Sequence, residues 1–331
     1  MHEHIARAMY YFSVHLLYAS IVGCAAWVLT SFRRASATTK YWLWVVTVFN
    51  FVVPAGAVID KLWAPHLAWA APLGAIGGPV WDMTQGRTAV VLAVTWMTGT
   101  LTMVVRLISH LRRERREVQV PADRHDVTSS FVADGIPVSF DSRHQAPAVG
   151  GVLYPRILLP TGIDRLLNRQ ELNAVLLHEV AHAKRRDNLI RLVYEVSLCA
   201  LWFHPLIWLA GMRMALYREL SCDESVIQRA QGQALVRALA KLAVPEETMF
   251  RQATASSHLS HRLARLAGSA QPAHRAASLL LTSLFAAMIV GGVFGTVAHT
   301  ACCFVLKHYH CIILANRRDP AASNCLAKLT T

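Results

Sequence analysis

Four stretches of the chain lack Asp, Glu, Lys and Arg over the length of a membrane-crossing helix: Ala8–Phe32, Tyr41–Ile59, Thr88–Val105 and Ala276–Leu306. A helix needs about 20 mostly apolar residues to cross roughly 30 Å of hydrocarbon. Lipid leaves an uncharged run few options, because every backbone N–H and C=O must be satisfied within the segment. The chain is 54% hydrophobic and 16% charged, against about 25% charged in soluble domains. The expected architecture is a mainly α membrane protein with four transmembrane helices. The last stretch is longer than needed and is expected to leave the membrane near His299.

The placement of charge sets the orientation. The formal net charge is +13. Arg33, Arg34 and Lys40 lie between the first two spans. Arg106, Arg112, Arg113, Arg115 and Arg116 follow the third, and Arg262, Arg265 and Arg275 precede the fourth. The loop Lys61–Arg87, rich in Pro, Gly and Trp, has only its two edge residues as basic positions. The positive-inside rule then places the N-terminus outside and 106–275 in the cytoplasm of a multi-pass inner-membrane protein. These arginines read as anchors to anionic lipid, and no direct nucleic-acid binding is expected. Ile21-Val22-Gly23-Cys24 loosely resembles a lipoprotein cleavage site. Cleavage there would remove the first span and conflict with the arginine pattern, so it is not expected.

The segments implied are 1–109 as a three-span region, 110–275 as a cytoplasmic domain, 276–299 as the fourth helix and 300–331 as an outer tail. Within the cytoplasmic segment, Val138-Ser139-Phe140 and Ala148–Pro160 are short apolar runs punctuated by Gly and Pro, as in a small sheet with an edge. Such an edge can pair with a substrate backbone beside a metal, or can merely cover helices. Asn168 with Glu171 has capping-box spacing, and Leu172, Val175, Leu176, Val180 and Ala183 mark the buried faces of the helix that follows.

That helix carries His178-Glu179-x-x-His182. Positions i and i+4 share a face, so both imidazoles can bind one Zn2+ ion. Glu179, one residue on, can take a proton from water activated by that ion, which makes it the expected general base. A core helix that happens to carry two histidines is the blander alternative.

The next charge-free run, Val196–Met212, contains Trp202-Phe203-His204-Pro205. Proline disfavours helix in the residue before it and opens new helices well. One helix is therefore expected to end near Phe203 and another to start at Pro205, buried or lying at the membrane surface without crossing. The second helix runs into Glu219 and Asp223, i and i+4 on one face. Glu219 is the expected third metal ligand, and Asp223 is expected to orient a histidine from behind. The alternative is an ordinary acidic face paired with Arg213 and Arg218. Asp187 could likewise orient a ligand or pair with the adjacent arginines. Cys222 is read as a buried thiol, and it, Cys24 and Cys199 look like small apolar fillers.

The tail holds Cys302, Cys303, Cys311 and Cys325 with His299, His308 and His310. Disulfides outside the cell, or no defined role, are preferred there over a soft-metal site.

Three spans, a cytoplasmic HExxH segment, a fourth span and the ordered motifs GGVLYPRILLP, LLHEVAHAKRRDNL, LWFHPLIWLA and YRELSCDESV resemble one family over roughly residues 5–300. It is that of the membrane zinc peptidases of the bacterial β-lactam sensor-transducer (BlaR/MecR) type. The resemblance implies an α+β gluzincin-like zinc peptidase domain between the third and fourth spans, with zinc on His178, His182 and Glu219 and Glu179 as base. It implies self-cleavage and an antirepressor role, in which a cytoplasmic BlaI/MecI-like winged-helix repressor is lost and antibiotic resistance follows. A homodimer is a further expectation. Family sensors carry a large penicillin-binding domain with a Ser-x-x-Lys motif after the fourth span. No lysine here has a serine three residues before it, so direct β-lactam sensing is not expected. Two rival readings share the site, a membrane quality-control protease and a non-enzymatic zinc-stabilised scaffold.

Overall fold

The structure, a computed structural model, describes residues 2–32, 35–53, 86–119, 131–141, 144, 146–242, 262 and 275–291. The expectations for the 60–87 loop, for most of 243–274 and for the cysteine-rich tail lie largely outside these residues. The described residues fall into two compact units, one drawn from Met1–Leu29, Val46–Thr98 and Thr282–Thr331, the other from Thr30–Val45 and Gly99–Leu281.

The described parts of the four charge-free runs are almost wholly helical, the conformation that satisfies backbone groups within an apolar segment. Helix α1 (His2–Thr30) buries Ala19, Val22 and Ala26 along one face. Its His15 Nε2 donates to the Phe51 carbonyl at 3.2 Å, near the end of α2 (Ala37–Val52). Among the described residues one helical stretch is long and apolar enough to cross a membrane, Val90–Arg113, within α3 (Gly86–Gln119). The apolar stretches His15–Thr30 and Arg275–Gly291 are shorter.

The second unit is built on a four-stranded sheet of β1 (Phe131–Ala133), β2 (Ile136–Asp141), β3 (Ala148–Gly150) and β4 (Arg156–Pro160). The order is β1-β2-β4-β3, so β3 is an edge strand. β1 and β2 are antiparallel, joined at Asp134-Gly135, both with positive φ. This is the two-residue turn that matches strand twist and favours glycine at its second position. β2 and β4 run parallel, pairing Val138 with Ile157, and β3 pairs antiparallel with β4.

A short turn of helix, α4 (Ile163–Leu166), leads to α5 (Arg169–Arg185). The Asn168 side chain accepts from Glu171 N and the Glu171 side chain accepts from Asn168 N, both at 2.9 Å. Glu171 is also closed over by Lys241 at 2.7 Å. Val175, Val180 and Ala183 of α5 join Val138, Ile157 and Leu159 of the sheet in one core, with Leu235 and Ala238 of α8 (Gly232–Leu242) covering the other side. Leu172 and Leu176 are only half-buried at its margin.

Between α5 and α8 lies a helical hairpin, α6 (Asp187–Leu201) and α7 (Pro205–Ile227). Arg186 adopts the left-handed conformation (φ 56°) and serves both as the end of α5 and the start of α6. The reversal is therefore immediate, and it brings Asp187 back onto the last turn of α5. Pro205 occupies the first turn of α7.

Candidate metal centre

The i, i+4 spacing on α5 brings the two imidazoles together, with Nε2 of His178 3.1 Å from Nε2 of His182. Packing of α7 against α5 adds Glu219, whose Oε2 lies 3.5 Å from His178 Nε2 and 3.7 Å from His182 Nε2. Donor atoms bound to one tetrahedral zinc at 2.0–2.1 Å lie about 3.4 Å from one another. The observed spacings bracket that value, so the three side chains fit the ion by number, type and geometry. Arg218 holds the other carboxylate oxygen, Oε1 of Glu219, at 3.0 Å. The acidic-face pairing and the converging carboxylate therefore coexist on one residue.

Behind each histidine stands a buried carboxylate. Asp187 Oδ2 accepts from His182 Nδ1 at 2.7 Å, which leaves the Nε2 lone pair facing His178 and Glu219. Asp223 Oδ1 is 3.1 Å from His178 Nδ1, but the N–H direction misses it, and Nδ1 has no well-aligned hydrogen bond. Burial pulls the pKa of His178 down, yet Asp223 and Glu219 outweigh it and lift the imidazole to about 9. His182 is likewise lifted against burial, by Asp187, Cys222 and Glu219. Burial pushes Glu219 up, but the two histidines hold it well below the usual carboxylate range. Asp187 and Asp223 are also held low, by Arg185 and His182 and by His178 and Arg262 respectively, against burial.

Three contributors, Arg185, Tyr41 and Arg262, are not legible in the sequence. Arg185 grips Asp187 through Nε and Nη2, both at 2.6 Å, and also donates to Ser221 Oγ and to Cys222 Sγ at 3.1 Å. Its guanidinium lies 4.3 Å over the Tyr41 ring, and the Tyr41 hydroxyl donates to Asp187. Arg262 belongs with Arg265 and Arg275 as a membrane anchor by sequence, but it is turned into the site. It binds Asp223 bidentately at 2.8 Å and reaches within 3.4 Å of Glu219 Oε2. Cys222 is fully buried, with His182 and Asp187 close by. The Arg185 guanidinium already contacts Asp187 and Cys222 there, so this second trio is a support for His182.

The trio opens on a cleft of about 450 Å³, lined also by Glu179, Asn188, Arg191, Arg262 and the Pro147-Ala148-Val149 edge of the sheet. Asn188 Nδ2 donates to the Val149 and Gly151 carbonyls at 2.8 and 3.0 Å, fixing that edge. A position left open to a cleft is what a catalytic zinc site has and a closed structural one lacks.

The family described as BlaR1 peptidase M56 matches residues 11–266. The methicillin resistance mecR1 protein of Staphylococcus aureus is 27% identical over 154 residues, covering 44% of this chain and 26% of that protein. Its namesake from Staphylococcus epidermidis matches to the same extent. The regulatory protein BlaR1 of Bacillus licheniformis is 36% identical over 84 residues, covering 25% of this chain and 14% of that protein.

Proposed function

The chain belongs to the BlaR1 M56 peptidase family, and from that premise we propose that it is a zinc-dependent membrane endopeptidase. Its targets are the chain itself, a cytoplasmic BlaI/MecI-like repressor, or both. The observation that carries the reading is the convergence of two Nε2 atoms and one carboxylate oxygen at 3.1, 3.5 and 3.7 Å beside Glu179. His178, His182 and Glu219 hold the ion, and Asp223 and Asp187 orient the histidines from behind.

When bound, zinc supplies Lewis acidity toward the scissile carbonyl and lowers the pKa of the attacking water. Glu179 accepts the proton of that water and passes it to the leaving amine. The β3 edge borders the cleft, which supports pairing with a substrate backbone over a purely covering role. The topology that goes with this reading has four spans, the peptidase unit in the cytoplasm, and the N-terminus and tail outside.

The test compares zinc content and cleavage of a co-expressed winged-helix repressor for wild type, Glu179→Gln and Glu219→Ala. The expected pattern is a cleaving wild type, a metal-loaded but silent Glu179→Gln, and a metal-poor Glu219→Ala. Absence of zinc from wild type overturns the proposal. A signalling phenotype that survives Glu179→Gln replaces it with the scaffold reading. Cleavage of misfolded membrane proteins with the repressor left intact points instead to quality control.

A further inference from the structure

We propose that the α6–α7 hairpin is itself a membrane element, dipping its tip into the acyl chains of the cytoplasmic leaflet without crossing. This rests on the membrane reading above.

The first observation is composition by exposure. From Val196 to Met212 every exposed position is apolar: Val196, Ala200, Phe203, Pro205, Trp208 and Met212. Val196 is 55% and Met212 62% exposed. A water-facing hairpin of that length would carry polar residues on such a face, and a contiguous apolar patch marks an interaction surface. The charged residues resume at the base of the hairpin, with Arg191 and Glu195 on one arm and Arg213 on the other. The two arginines match an anionic headgroup layer.

The second observation is depth. A β-carbon on Gly99 of α3 would overlap the Trp202 indole, so the hairpin tip packs directly on the backbone there. Arg106 of α3 interacts electrostatically with both Tyr194 and Cys199 of α6, which precede Trp202 on the arm. Gly99 is therefore level with the tip, and Arg106, further along α3, lies on the side of the base. Gly99 lies inside the charge-free run 88–105, seven residues before Arg106, which is about 10 Å of helix. Half of a hydrocarbon core is about 15 Å, so the tip lies within one leaflet.

The third observation is the turn itself, where irregular backbone at membrane depth must be internally satisfied. The Leu201 carbonyl accepts from His204 N at 2.9 Å, and the His204 carbonyl from Ile207 N at 3.2 Å. The Trp202 carbonyl accepts from Trp208 Nε1 at 2.8 Å. Pro205 has no N–H to satisfy. Gly211 lets the two arms close on each other, since a β-carbon there would strike the Tyr194 ring, the small-residue contact typical of helices in lipid.

Glu219 follows Met212 by seven residues on α7, again about 10 Å. The cleft would then stand at the membrane surface, suited to a peptide segment next to a span.

The test reconstitutes the full chain in phosphatidylethanolamine–phosphatidylglycerol vesicles containing a phospholipid with a diazirine at an acyl-chain end. After photolysis, labelled peptides are mapped by mass spectrometry. The expected result is label on the peptide carrying Trp208 and Met212 as well as on α3, and none on the peptide carrying Tyr154, which is 88% exposed. Label on α3 alone overturns the hairpin proposal and leaves the membrane reading intact. It would mean that water, a second copy or another protein covers the apolar face. Label on neither overturns both.

Discussion

Tyr41 donates its phenolic hydrogen to Asp187 Oδ1 at 3.0 Å, across 146 residues of sequence. Asp187 in turn accepts from His182, so two hydrogen bonds that meet on Asp187 join the first turns of α2 to a candidate metal ligand. The neighbouring contacts agree. Glu224, next to Asp223, accepts from Ala37 N at 3.1 Å and Thr38 N at 3.3 Å at the start of α2, where a carboxylate is favoured by the exposed N–H groups of a helix N-terminus. The Tyr217 hydroxyl donates to the Thr30 carbonyl at 3.2 Å.

Tyr41→Phe is expected to weaken zinc binding by a few-fold to about tenfold, the lower end for loss of a supporting contact around a metal. The ring that carries the Arg185 guanidinium remains, so the fold should hold. Competition with a chelating dye measures it, and unchanged affinity would disconnect Tyr41 from the site.

Asp187→Asn should act more strongly. It removes the negative charge and one of the two acceptor oxygens that His182, Arg185 and Tyr41 share, so the His182 tautomer is no longer fixed and the Arg185 guanidinium loses its fork. Loss of one partner of a buried charge pair costs roughly 3 kcal/mol or more. Both zinc affinity and thermal stability are expected to fall, read by chelator competition and by calorimetry of the metal-free chain.

Arg262→Gln removes the cation that faces Asp223 and Glu219. Asp223 is then free to rotate away from His178, and zinc affinity should fall about tenfold. Arg262→Lys keeps the charge but loses the bidentate fork, and should fall in between. Full affinity in Arg262→Gln would return this residue to the membrane-anchor role.

Zinc binding should strengthen with pH. In the metal-free chain His178 stays protonated up to about 9, and zinc requires the neutral imidazole. Each proton displaced is worth about a tenfold change in apparent affinity per pH unit. Between pH 6 and 9 the apparent affinity should therefore climb, then level off. The stability of the metal-free fold runs oppositely. The raised His178 pKa contributes fully below 6.5, its value in the unfolded chain, and that contribution is lost as pH rises through about 9. Titrations at four pH values with and without zinc test both signs.

Asn168→Ala breaks the capping box at the start of α5. The cost is about 1 kcal/mol, seen as a lower melting temperature. The histidines lie near the other end of the helix, so zinc stoichiometry should not change.

Much of this protein was legible locally. The capping box, the shared face of His178 and His182, the helix opened by Pro205 and the punctuated strands all depend on residues within a few positions of one another. Their physics is the 3.6-residue repeat, the orphan N–H groups of a helix start, and the fixed φ of proline. Glu219 and Asp223 were legible as a shared face of one helix, but periodicity says nothing about what that face meets. Packing of α7 on α5 decided that. The left-handed Arg186 is a residue type that gives no hint of its conformation, yet it alone turns Asp187 back onto His182. Tyr41 looked like the first residue of an apolar span, and Arg262 like one basic anchor among several. Each is joined to the site by a contact over dozens of intervening residues. By itself the sequence determined which side chains could bind a metal and where helices begin. Only the tertiary structure decided which carboxylates and guanidiniums stand behind them, because those partners are chosen by packing between elements and leave no periodic trace along the chain.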